Sequence, residues 1–189
     1  LRMIRIGRIS PVKHYETLIA ACAMLRDAGT PSWTLTIVGG PLTPGDRVYE
    51  DKLRSLVHEK GLDNKIRFEG ARPYGDVLAL LRDHDMFLNC SRTGSLDKAV
   101  LEAMACGLSV ITSNEGYREI LPPAYFVSPP RPELFAERIA SLSGERRPNK
   151  TLREIVVRDH TLAGTIDRMA TYLLPSHSGM MRGIYYPSA

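Results

Sequence analysis

The stretch SRTGSLDKAVLEAMACG, residues 91–107, decides how the rest of the chain is read. It opens on small and turn-forming residues, Thr93, Gly94 and Ser95, and then becomes a helix. Ser95 is a good N-cap and Asp97 suits the positive first turn. The backbone amides of Leu96, Asp97 and Lys98 would make that end an anion seat. From Ala99 to Cys106 every residue except Glu102 is apolar or small, so this helix is expected to be buried all round. A carboxylate in that setting is costly without donors. Two readings of Glu102 stand side by side: a side chain satisfied by a backbone amide or an arginine, or one that faces a ligand rich in hydroxyls, such as a ribose.

Outward from this stretch the chain alternates strand and helix. Strands are expected at residues 3–7, 33–38, 66–69, 85–90 and 108–112, with a short sixth at 125–127. Helices are expected at 15–27, 47–60, 74–82, 133–142 and 151–174, the last as one long amphipathic element with Ile166 and Met169 facing in. Gly29 and Pro31 stop the first of them. This alternation predicts an α/β fold, a Rossmann-like doubly wound parallel sheet of about six strands with helices on both faces. Residues 176–189 lack periodicity and read as a tail. Its pairs Met180, Met181 and Tyr185, Tyr186 would be free to pack on another domain.

Composition is that of an ordinary soluble domain, 43% hydrophobic and 24% charged among 189 residues. The net charge of +4 suits an anionic ligand, but the charges are scattered and no nucleic-acid motif is present. Cys22, Cys90 and Cys106 sit in apolar runs without metal-ligand spacing and read as reduced core residues, hence a cytoplasmic setting. The five histidines have no partners at ligand spacing, so no metal site is expected. No apolar run reaches membrane-spanning length.

Ligands of open α/β sheets bind beyond the carboxyl ends of the strands, and three strands here end in phosphate-suited residues. After the first comes Gly7-Arg8, with Lys13 beyond it: glycine lets a ligand approach the backbone, arginine offers a planar fork and lysine a point charge. After the second comes Gly39-Gly40, which alone is only a tight turn. After the fourth comes the 93–95 turn described above. By itself Gly-Arg-x4-Lys is better read as two solvated surface cations.

LEAMACGLSVITSN, residues 101–114, resembles the signature of the retaining, nucleotide-sugar-dependent glycosyltransferases of the GT-B fold (family 4, group 1). Gly7-Arg8-x4-Lys13 matches that family's motif after the first strand of its C-terminal domain. The resemblance implies that residues 1–175 are the donor-binding half of a GT-B enzyme, with the acceptor-binding N-terminal domain outside this chain. It implies transfer of a sugar from a nucleoside diphosphate to a hydroxyl acceptor with retention, without cofactor or bound metal. Arg8 and Lys13 would hold the diphosphate and stabilise its departure as the catalytic pair, with Gly7, Gly39 and Gly40 lining the seat. Glu102 would hold the ribose hydroxyls. Phe68-Glu69-Gly70 resembles the turn before the base-binding segment, which would bring in Arg72. Any peripheral membrane attachment would reside in the other half.

One departure is plain. The family's first Glu, in its Glu-x7-Glu pattern, falls on Gly94. Either Asp97 or Lys98 takes over contacts to the donor sugar, or the chain is a non-catalytic nucleotide-binding or interaction module. A Rossmann oxidoreductase is disfavoured, since no G-x-G-x-x-G follows the first strand.

Overall fold

Met3 and Ile4 are adjacent in sequence and fully buried, yet they belong to different cores. Successive side chains of a strand point to opposite faces, so both faces of this sheet must be covered. That is why its strands read as continuous apolar runs. The computed structural model describes residues 1–30, 32–92, 94–145 and 147–173. Five parallel strands, β1 (Arg2–Ile6), β2 (Thr34–Val38), β3 (Ile66–Gly70), β4 (Met86–Asn89) and β5 (Ser109–Thr112), lie in the order β3-β2-β1-β4-β5.

One face carries α1 (Tyr15–Asp27), α2 (Pro44–Glu59) and α5 (Pro132–Leu142). Leu18, Cys22, Leu53, Phe135 and Ile139 pack there on Met3, Leu35, Ile37, Leu88 and Ile111. The other face carries α3 (Tyr74–Arg82), α4 (Lys98–Ala105) and α6 (Lys150–Asp159). Leu81, Val100, Met104, Leu152 and Val156 cover Ile4, Val38, Phe87 and Val110. Helix starts follow local chemistry. Thr43 and Asp46 form a capping box ahead of α2 with Pro44 at its first position, and Asn149 accepts from the Leu152 amide ahead of α6.

Three expectations are corrected. The sheet has five strands, not six: near Tyr125 the chain makes a 3-10 turn, and Phe126 contributes one isolated bridge to Thr112. The single helix expected over 151–174 is two, α6 and α7 (Leu162–Leu173). His160 leaves helical geometry at φ −127°, and the Thr161 hydroxyl accepts from the Gly164 amide, a new N-cap that restarts the helix. Ile166 and Met169, expected inside, are both 55% exposed. Pro31, Thr93 and the tail with its Met and Tyr pairs lie outside the described residues.

The core also holds a titrating group. His84 is buried, with Nδ1 2.7 Å from the Leu80 carbonyl oxygen and Nε2 3.0 Å from Thr36 Oγ1. The neutral ring, donating from Nδ1 and accepting at Nε2, satisfies both contacts. Burial lowers its pKa below the ordinary histidine value, and the Leu80 bond offsets this only in part. Below about pH 6.5 the unfolded chain therefore binds the proton more readily than the folded one. Stability is full above that pH and falls as pH drops toward the folded pKa. Denaturant midpoints between pH 7.5 and 5 should show this slope, and His84→Gln should flatten it.

Candidate donor-binding site

In the order β3-β2-β1-β4-β5 the direction in which strands are added reverses between β1 and β4, and the crevice beyond their carboxyl ends is where such sheets bind ligands. The loops there are laced together by the backbone. The Gly7 amide donates to the Val38 carbonyl at 2.9 Å, the Gly39 amide to the Gly70 carbonyl at 2.8 Å, and the Ile9 amide to the Gly40 carbonyl at 3.1 Å. Gly39 sits at φ +134°, and a Cβ on it would overlap the Gly7 carbonyl oxygen. The Gly39-Gly40 pair is thus more than a tight turn, because Gly39 is what lets the first two strand-end loops touch. The Tyr15 hydroxyl donates to the Gly7 carbonyl at 3.0 Å and holds the turn from below. Burial pushes that phenol up to about 12, so it stays a donor.

Lys13 ends a short 3-10 turn, Pro11–Lys13, and reaches across to the segment that follows β4. Its Nζ lies 2.7 Å from Asp97 Oδ1 and 3.2 Å from Ser91 Oγ, while Asn89 Nδ2 donates to Asp97 Oδ2 at 3.0 Å. The ion pair is sheltered, with the lysine side chain 13% and the aspartate 18% exposed. Burial alone would raise the Asp97 pKa, but the bonds from Lys13 and Asn89 and the lysine's charge outweigh it and hold the carboxyl below its usual range. The Tyr117 hydroxyl fixes the Asp97 carbonyl at 2.7 Å, and Asn114 Nδ2 fixes the Ser95 carbonyl at 2.7 Å. Arg8, exposed, and Lys13 share a cavity of about 370 Å3 with Arg5, Gly7, Leu42 and Asp97.

Other expected site residues are placed differently. The helix begins at Lys98 with Asp97, not Ser95, as N-cap, and no side chain caps it. Its first-turn amides are those of Lys98 and Ala99, because the Val100 amide already donates to the Asp97 carbonyl at 2.9 Å. Gly94, Ser95, Leu96 and Lys98 are exposed. The helix is not buried all round either: Ala105 is exposed and Glu102 half-buried. Glu102 accepts from the Tyr74 hydroxyl at 3.1 Å, and among the described residues neither an amide nor an arginine donates to it. It lines a separate, largely apolar cavity of about 310 Å3 between α3 and α4, with Tyr74, Leu78 and Leu81. Arg72 is exposed and ion-paired to Glu69 at 2.5 Å. Gly94 has φ +70° and open space around it; a glutamate there would need the left-handed backbone that side chains disfavour.

Arg5, Asn89, Asn114, Tyr74 and Tyr117 escaped the sequence reading. Arg5 left a signal, a charge inside the apolar strand RMIRI. Among the described residues no cluster of three or more His, Cys, Asp or Glu could hold a metal, and no helix is long and apolar enough to cross a membrane.

The family profile described as "Glycosyl transferases group 1" matches residues 2–156. The chain belongs to that family. A D-inositol 3-phosphate glycosyltransferase of Jonesia denitrificans is 29% identical over 174 residues, 89% of this chain and 40% of that protein. The chain thus spans about two fifths of that relative's length. Anabaena HepE, crystallised in complex with UDP, superposes with a TM-score of 0.80 at 23% identity over 91% of this chain and 48% of that one. The C-terminal domain of LpcC, a group 1 family protein of Francisella tularensis, gives 0.75 at 24% identity over 85% of this chain and 87% of that one. The parallel, doubly covered sheet is therefore the GT-B type of Rossmann-like fold.

Proposed function

We propose that residues 1–175 bind a nucleoside diphosphate sugar and present it for transfer to a hydroxyl acceptor with retention at the anomeric carbon. The acceptor would be held by an N-terminal domain of a longer cytoplasmic protein, and no cofactor beyond the donor is needed. The observation that carries this reading is the cationic cavity at the topological switch point, which Arg8 and Lys13 line together with Gly7. These two hold the diphosphate and neutralise the charge of the departing nucleotide, electrostatic rather than covalent catalysis. Glu102, in the lining of the separate apolar cavity, takes the ribose hydroxyls. The UDP-bound relative supports a uridine diphosphate donor.

A second reading rests on Gly94. The loop lacks the family's first glutamate, and Asp97, the candidate replacement, is engaged by Lys13 and Asn89. A non-catalytic nucleotide-binding module fits that loop equally well.

Calorimetric titration with UDP, GDP, ADP and NAD tests the proposal. One nucleoside diphosphate should bind, and both Arg8→Ala and Glu102→Ala should weaken it about 30-fold, the size of a charged hydrogen bond. Saturation unaffected by either change contradicts the site, and preferential NAD binding contradicts the class.

A further inference from the structure

Arg5 is the next-to-last residue of β1 and is 1% exposed. Its Nη1 donates to the Ile6 carbonyl at 2.7 Å, while Nε and Nη2 are buried without a hydrogen-bond partner. The Tyr15 and Phe87 ring centroids lie 5.5 and 6.0 Å from the guanidinium carbon. A buried guanidinium so poorly served is costly, and an apolar side chain of similar length would pack there at lower cost. Yet Arg5 lines the same cavity as Arg8 and Lys13, in which Asp97 contributes the one carboxylate. Three cations against one anion leave two positive charges in excess. A diphosphate diester, carrying one negative charge per phosphorus, balances that excess.

We infer that the Arg5 guanidinium is a third cation of the donor-diphosphate site, its unpartnered nitrogens waiting for a phosphate oxygen. This rests on the donor-binding reading above. An arginine fork matches phosphate geometry, and the glycine at position 7 lets the strand-end turn lie close against the guanidinium, where a Cβ would meet Nη1 at 3.4 Å and Nη2 at 3.5 Å.

The test is UDP titration and thermal unfolding of the 189-residue chain and its Arg5→Met variant. Arg5→Met should bind UDP about 30-fold more weakly while its ligand-free melting temperature stays level or rises. UDP affinity within twofold of wild type overturns the inference. So does a loss of affinity accompanied by a large fall in ligand-free melting temperature, which marks a structural arginine. If Arg5→Met does not fold, the wild-type chain still decides. Saturating UDP should shift the Arg5 Nε–H resonance, identified by its absence in Arg5→Lys, and an unmoved resonance overturns the inference. Binding that Glu102→Ala weakens and Arg5→Met does not touch defeats this inference alone. A wild-type chain that takes no nucleoside diphosphate defeats the donor-binding reading and this inference with it.

Discussion

Gly39→Ala should lower the unfolding midpoint by about 10 °C and abolish nucleotide binding, while Gly40→Ala, one residue on, should be nearly neutral. Gly39 holds φ +134°, where essentially only glycine rests, and the new Cβ would overlap the Gly7 carbonyl oxygen. Backbone strain of that kind costs about 1–3 kcal/mol, and relieving the overlap must move a backbone rather than the end of a side chain. A total near 4 kcal/mol in a domain of this size corresponds to about 8–16 °C. The loop that gives way is Gly7-Arg8, which the proposed site needs. At Gly40 the added carbon would meet Ala71 at 3.8 Å, ordinary contact. Calorimetric melts of the two variants check the contrast, and similar melts would show that the loops are not wedged as described.

Lys13→Ala carries the second large effect. It strips a sheltered carboxylate of its cation, and breaking a buried pair from one side costs about 3 kcal/mol. Removing both partners should recover part of that, so a double-mutant cycle with Asp97→Ala should give a coupling of about 2 kcal/mol. The sign of the pH dependence follows from the lowered Asp97 pKa. The pair's contribution is complete above the unfolded carboxylate value, about 3.9, and is lost as pH falls through the folded one. Binding separates the two residues further. Lys13→Ala should weaken UDP, whereas Asp97→Asn should tighten it about tenfold, because a carboxylate that competes with phosphate for the lysine is gone. Equal weakening by both would mean that Asp97 serves the donor rather than rivals it.

How much of this was legible in the sequence depends on how local each cause is. The alternation of strands and helices showed in short apolar runs, and the helix at 15–27 ends where expected because its stop signals are its own neighbours. The break before α7 was missed because Thr161 acts as a cap only through its bond to the Gly164 amide, while the apolar spacing runs on past it. Arg8, Lys13 and Glu102 were legible as a motif, but their arrangement was not. That Asp97 fills the lysine's reach depends on β1 and β4 being neighbours, a pairing between segments 84 residues apart at the ion pair itself. Arg5 was passed over because a strand charge reads as solvent-facing, and only the covered sheet shows it to be buried. The site thus combines readable residues with contacts that topology alone creates.

The most direct test of the central claim is a crystal structure of the chain with UDP. The diphosphate should lie over Gly7-Arg8 within hydrogen-bond reach of Lys13, and the ribose hydroxyls should face Glu102. A nucleotide seated instead in the roughly 440 Å3 cavity at the amino ends of β1, β2 and β3, among Arg2, Lys65, Arg67 and His84, would contradict it.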